Sequence, residues 1–121
     1  MRIVVDLDGT ICPLKKPGES YADLTPLPGA LQRLQEWRKA GHYIIIQTAR
    51  NMATQKSNMG KVLRNVGKIT LDWLDKHEIP YDEIYFGKPN GEIYIDDRAF
   101  RFVDGWDALT EDVLNEHARE R

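Results

Sequence analysis

Two carboxylates at alternate positions, Asp6 and Asp8, follow the apolar run Ile3-Val4-Val5 near the start of this 121-residue chain. Polar groups end three later apolar runs as well. Thr48 and Arg50 follow Tyr43-Ile44-Ile45-Ile46-Gln47, Lys88 follows Glu83-Ile84-Tyr85-Phe86, and Asp96-Asp97 follow Glu92-Ile93-Tyr94-Ile95. Acids at the ends of buried strands are costly unless something offsets their charge. Carboxylates converging on one crevice suit a hard cation such as magnesium, which takes oxygen ligands and keeps several waters.

The set matches the needs of phosphoryl transfer, which are in-line positioning and neutralisation of charge on the equatorial oxygens. Residues two apart in an extended chain project to the same side, so Asp6 and Asp8 can address one site as the chain turns at Gly9. One carboxylate can then attack phosphorus while the other handles protons. Thr48 supplies a hydroxyl, Lys88 a compact positive charge, and the backbone N–H groups after Asp6 a concavity for an anion.

These residues need a frame that brings strand ends together. Leu27, Ala30, Leu31, Leu34 and Trp37 form an apolar stripe at helical spacing between the first two runs. Pro28 is placed as the first helical residue and Gly41 as the stop. Ile69, Leu71, Trp73, Leu74 and Ile79 predict a second helix ending near Pro80, and Leu109, Val113 and Leu114 a closing one that begins at Thr110 or Asp107. Residues 11–26 and 51–68, with their prolines and glycines, read as irregular segments beyond the carboxyl ends of strands, where open α/β sheets bind ligands. The alternation predicts one domain over 1–121, of three-layer α/β Rossmann-like architecture with a mostly parallel sheet.

Bulk properties narrow the function classes. The 41% hydrophobic and 30% charged residues are ordinary for a globular domain, and a net charge of -2 gives no pull toward nucleic acid or anionic membrane. No apolar run is long enough to span a bilayer. The chain runs into its first strand without a basic, then apolar, leader, so a cytoplasmic location is expected. Cys12 is the single cysteine, which excludes a disulfide framework and a cysteine-rich zinc site.

The order Asp6-Leu7-Asp8-Gly9-Thr10, Thr48, Lys88, Asp96-Asp97 resembles the haloacid dehalogenase (HAD) superfamily over residues 3–97. Gln47-Thr48-Ala49-Arg50-Asn51-Met52, Gly87-Lys88-Pro89 and Tyr94-Ile95-Asp96-Asp97-Arg98-Ala99 further resemble the small phosphatases of capsule-polysaccharide biosynthesis. The resemblance implies a HAD-like sheet with the first strand central and a minimal cap built from residues 11–26 and 51–68. It implies Asp6 as nucleophile, Asp8 as acid/base, Thr48 as phosphate donor and Lys88 as the cation beside both. Mg²⁺ would be held by the Asp6 side chain, the Asp8 carbonyl and one of Asp96 or Asp97. Thr10, Ala49, Arg50 and Arg98 are the candidates for substrate contact, with ion pairing to a neighbouring carboxylate an equal alternative for the two arginines.

The expected activity is magnesium-dependent hydrolysis of a small phosphorylated carbohydrate or related metabolite. A nucleic-acid-end phosphatase and a non-catalytic phospho-receiver are the competing readings; the position of Asp8, two residues after the acceptor, favours turnover over a receiver. With so little cap, a neighbouring subunit of a homo-oligomer could exclude water.

Overall fold

Short β-branched runs and one strongly amphipathic stripe set the frame, and the computed structural model describes it for residues 1–120. Strands β1 (Arg2–Asp6), β2 (Tyr43–Thr48) and β3 (Glu83–Phe86) form a parallel sheet in the order β1-β2-β3. Asp6 lies opposite Gln47, and Thr48 opposite Phe86. This register brings Asp6, Thr48 and the turn after Phe86 to the same edge of the sheet.

Helix α1 (Ala30–Lys39) buries Ala30, Leu34 and Trp37, the stripe expected from its spacing. Its start differs from expectation. Pro28 lies in the preceding turn, and Gly29 takes the cap position at φ 83°. A β-carbon on Gly29 would sit 3.2 Å from Cβ of Trp106, so close approach as well as backbone conformation selects glycine there.

Part of the segment read as irregular is helical. Helix α2 (Met59–Val62), a π-helical turn (Leu63–Gly67) and α3 (Lys68–Lys76) follow one another directly. Gly60 and Gly67 lower the intrinsic propensity. Tertiary burial of Val62, Val66, Thr70, Trp73 and Leu74 overrides it. The side chain of Asn58 accepts a hydrogen bond from Lys61 N and caps the start. At the far end, α4 (Glu111–His117) begins where expected, with the Thr110 side chain accepting from Val113 N.

The principal core joins Val5, Ile44, Ile46 and Ile84 of the sheet to Leu34 and Trp37 of α1, Trp73 and Leu74 of α3, and Trp106. By the two-residue period of strands, Val4, Tyr43 and Tyr85 face the other way. All three are exposed, Val4 at 57%, while Ile45 on the same side is buried, so in a single chain that side of the sheet is only partly covered.

Glu92–Ile95 does not form the fourth strand that its composition predicts, and every residue from 89 to 101 is exposed. Nor is β1 central, as the resemblance implied; it occupies an edge. The cause is chain length. Lys88 N donates to the Thr48 carbonyl, and only Pro89-Asn90-Gly91 separate that anchor from the run. This link is too short to carry the run round to the free side of β1. Residues 89–101 therefore form an arm that leaves the core after Lys88 and returns to it at Phe102 and Trp106.

Trp106 holds the return. Its Nε1 donates to the Thr10 carbonyl at 2.7 Å, and its ring lies 5.6 Å from that of Trp37 and 5.3 Å from that of Phe102. Trp106→Ala should cost about 3–5 kcal/mol of unfolding free energy, measured by urea denaturation. A loss below about 1 kcal/mol would mean that the ring does not anchor the C-terminal segment.

Candidate active site

A tight turn presents the first acid pair. Leu7 is fully buried and its carbonyl accepts from Ile11 N at 2.9 Å and Cys12 N at 3.2 Å, while Gly9 N donates to the Cys12 carbonyl at 2.7 Å. Gly9 adopts φ 87°, a conformation natural to glycine. Thr10 N also turns back to Leu7 O. The N–H groups of Gly9 through Cys12 are thus spent inside the turn and add nothing to an anion concavity after Asp6.

Asp6 is half-buried and meets two partners. Lys88 Nζ lies 3.3 Å from its Oδ1, and Thr10 Oγ1 donates to its Oδ2 at 3.4 Å. Lys88 is delivered by Gly87, whose φ is 92° and whose missing β-carbon leaves room for Met59 Sδ at 2.8 Å. The ring of Tyr94, whose hydroxyl bonds Pro89 O, lies 4.2 Å from Lys88 Nζ.

Asp8 is held differently. Arg50 Nε donates to its Oδ2 at 3.0 Å and Nη2 to its Oδ1 at 2.7 Å, a bidentate pair. Arg50 Nη1 donates to Thr70 Oγ1 at 3.0 Å, and its guanidinium carbon lies 3.8 Å from the centre of the Tyr21 ring. Only 4% of Arg50 is exposed. Of the two roles left open for it, pairing with a carboxylate is the one its geometry takes. Thr48 is buried, with its Oγ1 accepting from Arg50 N at 3.0 Å, which leaves its hydroxyl hydrogen to donate elsewhere. Ala49 packs against Met52, Val62 and Val66 and forms part of an apolar wall.

The sheet edge therefore gathers Asp6, Asp8, Thr10, Thr48, Arg50 and Lys88. It does not gather Asp96, Asp97 or Arg98, all exposed on the arm, where Arg98 N donates to Asp96 Oδ1 at 2.8 Å. The expected convergence of a third carboxylate is not met within one chain: among the described residues no three acids, histidines or cysteines cluster to hold a metal. The Asp6 carboxylate and the Asp8 carbonyl fit magnesium in kind, as hard oxygen donors, but they do not complete a protein ligand set without the acidic pair.

Sequence reasoning missed Tyr21 and Thr70. Tyr21 sits in an irregular segment with no periodic signal, and Thr70 falls within a helical stripe whose other members are apolar. Burial pushes the Tyr21 hydroxyl upward, with the Asp8 charge adding to it and Arg50 opposing. Cys12 is also buried here, its Sγ 3.5 Å from Asp8 Oδ1. Desolvation, reinforced by the Asp8 charge, pushes its thiol up to about 12. The basic residues Lys56, Lys61, Arg64 and Lys68 are all exposed, a solvated face as their spacing suggested.

The fold is HAD-like. It matches the D,D-heptose 1.7-bisphosphate phosphatase from B. bronchiseptica, solved with magnesium and phosphate, at a TM-score of 0.50 and 20% identity, over 75% of this chain and 51% of that one. A much nearer match is a structural-genomics target from Vibrio cholerae, 37% identical over 95% of this chain and 94% of that one, with a TM-score of 0.84. The chain belongs to one family with this Vibrio cholerae protein. No protein-family model matches the sequence, and no curated protein does. Among the described residues no helix is long and apolar enough to cross a membrane.

Arg50→Ala should destabilise the fold by about 3 kcal/mol or more, because it strands a part-buried carboxylate. Arg50→Lys should recover little of that loss, since an ammonium cannot reproduce the bidentate fork. Urea melts of the two variants check both statements. Cys12 should resist iodoacetamide at pH 8 in the native protein and react once unfolded; rapid native alkylation, read by mass spectrometry, would contradict the raised thiol.

Proposed function

We propose that this chain is a magnesium-dependent phosphomonoester hydrolase that works through an aspartyl-phosphate on Asp6. The observation that carries the reading is Asp6 at the carboxyl end of β1 with Lys88 Nζ 3.3 Å from its Oδ1. A half-buried carboxylate beside a fixed cation is a nucleophile set where an incoming phosphate dianion would also find positive charge.

In the first step an Asp6 oxygen forms a bond to phosphorus as the bond to the ester oxygen breaks. Asp8, having left the Arg50 pair and taken a proton from water beforehand, gives that proton to the departing oxygen. In the second step Asp8 takes a proton from water as the water oxygen attacks phosphorus, and the Asp6–phosphorus bond breaks to release inorganic phosphate. For both steps Asp8 must turn from Arg50 toward the substrate, so the Arg50 pair sets its resting position. The Thr48 hydroxyl donates to a phosphate oxygen while still accepting Arg50 N–H. Mg²⁺ would add charge neutralisation; the Asp6 carboxylate and the Asp8 carbonyl would hold it, together with one of the Asp96-Asp97 pair where that pair is brought to the site.

The substrate class we propose is a small phosphorylated carbohydrate or related metabolite of polysaccharide biosynthesis, and the location cytoplasmic. Support comes from the motif resemblance and from a fold shared with a phosphatase that was solved with magnesium and phosphate. Phosphate release from a panel of sugar phosphates in Mg²⁺ tests the reading. Asp6→Asn should lower it on the order of 10³-fold or more. Asp8→Asn should slow decay of the covalent intermediate, so that phosphorylated Asp6 is found by mass spectrometry after an acid quench. Full turnover in Asp6→Asn would sink the mechanism.

A further inference from the structure

We propose that the arm of residues 89–101 adds, as a parallel strand, to the free edge of β1 in a second copy of this chain, and there delivers its Asp96-Asp97 pair to that copy's Asp6. The delivery half rests on the hydrolase reading above; the strand exchange stands on geometry alone.

The edge and the apolar run of the arm are complementary. β1 pairs with β2 on one side, and among the described residues no strand lies on the other. Such an edge is a row of free N–H and C=O groups ready for another strand. The arm offers Glu92-Ile93-Tyr94-Ile95, β-branched and aromatic residues that favour sheets, with Ile93 73% and Ile95 93% exposed. Both its ends are fixed to their own domain, at Lys88 N–Thr48 O and at buried Trp106, so only the arm itself is placed to exchange.

The chain's own β1 is out of reach in the parallel sense. Strands lie about 4.8 Å apart and rise about 3.3 Å per residue, so a start beside Arg2, three strand spacings across and at least five residues down from Lys88, is about 22 Å or more away. Four residue steps, Lys88 to Glu92, span at most about 14 Å. A second copy has no such limit.

The register is readable. Setting Asp96 beside Asp6 sets Glu92 beside Arg2, an opposite-charge pair. It places Ile93 and Ile95 beside Ile3 and Val5 on the core face, and Tyr94 beside the exposed Val4. Asp96 beside Asp6 alone would repel, and that is where a divalent cation belongs. The exposed Val4, Tyr43 and Tyr85 on the outer side of the sheet give the partner's body a surface to cover. The superposition on the Vibrio cholerae structure extends over 95% of this chain, so it takes in at least part of the arm.

The test uses the whole chain with Val4→Cys and Tyr94→Cys, both exposed positions whose change should spare the fold. Wild type should sediment as a dimer or a higher even oligomer, and oxidation of the double variant should give a covalent dimer on a denaturing gel. A monomer in sedimentation, or a disulfide closed within one chain, overturns the exchange. Delivery is tested by co-expressing Asp6→Asn with an Asp96→Asn/Asp97→Asn chain. Each is inactive alone, but in a mixed dimer one site regains every residue, so random pairing should restore about a quarter of wild-type activity. A covalent dimer without this recovery overturns delivery of the pair. Wild type inert toward every phosphomonoester would instead defeat the hydrolase reading, and the disulfide result would still decide the exchange.

Discussion

Arg50 is the residue on which the candidate site depends. Its guanidinium leaves the end of β2 and bonds the turn after β1 through Asp8, α3 through Thr70, and the Tyr21 turn through its ring face. Four segments far apart in sequence meet at one buried cation. Removing any partner leaves charge or donors without water or protein to meet them, which makes such a network costly to break. The network also fixes where Asp6 stands, because the turn that carries Asp8 and Cys12 hangs directly from the Leu7 carbonyl.

The same arrangement divides two neighbouring aspartates. Asp6 faces a single ammonium and a threonine hydroxyl at the rim, whereas Asp8 is gripped by a planar fork. Two carboxylates of one chemical type thus have unlike surroundings two residues apart, which is how one short segment can serve two tasks. The buried Cys12 beside them is a packing group, kept neutral by its burial and by the Asp8 charge.

Much of this was legible in the sequence. The β-branched runs, the Leu34–Trp37 stripe and the Thr110 cap all follow from period and local chemistry, and the strand-end polar residues mark the edge of the sheet that gathers Asp6, Thr48 and Lys88. The helical stretch 59–67 was hidden because two glycines argue against it locally, while burial of Val62 and Val66 decides for it. Arg50 offered two partners of equal merit, and only the three-dimensional approach of Thr70 and Tyr21 resolves the choice. Glu92–Ile95 has every local mark of a strand. Whether it pairs depends on a distance between anchors, which no residue pattern encodes.

The three residues between Lys88 and Glu92 therefore do more than join two motifs. If the arm completes a neighbour's site, hydrolysis acquires a concentration dependence, with specific activity falling on dilution as subunits part. A longer insertion at Asn90-Gly91 would let the chain close on itself and free it from that dependence. Loop length, with no change in any side chain at the site, would then set whether the enzyme works alone or in company.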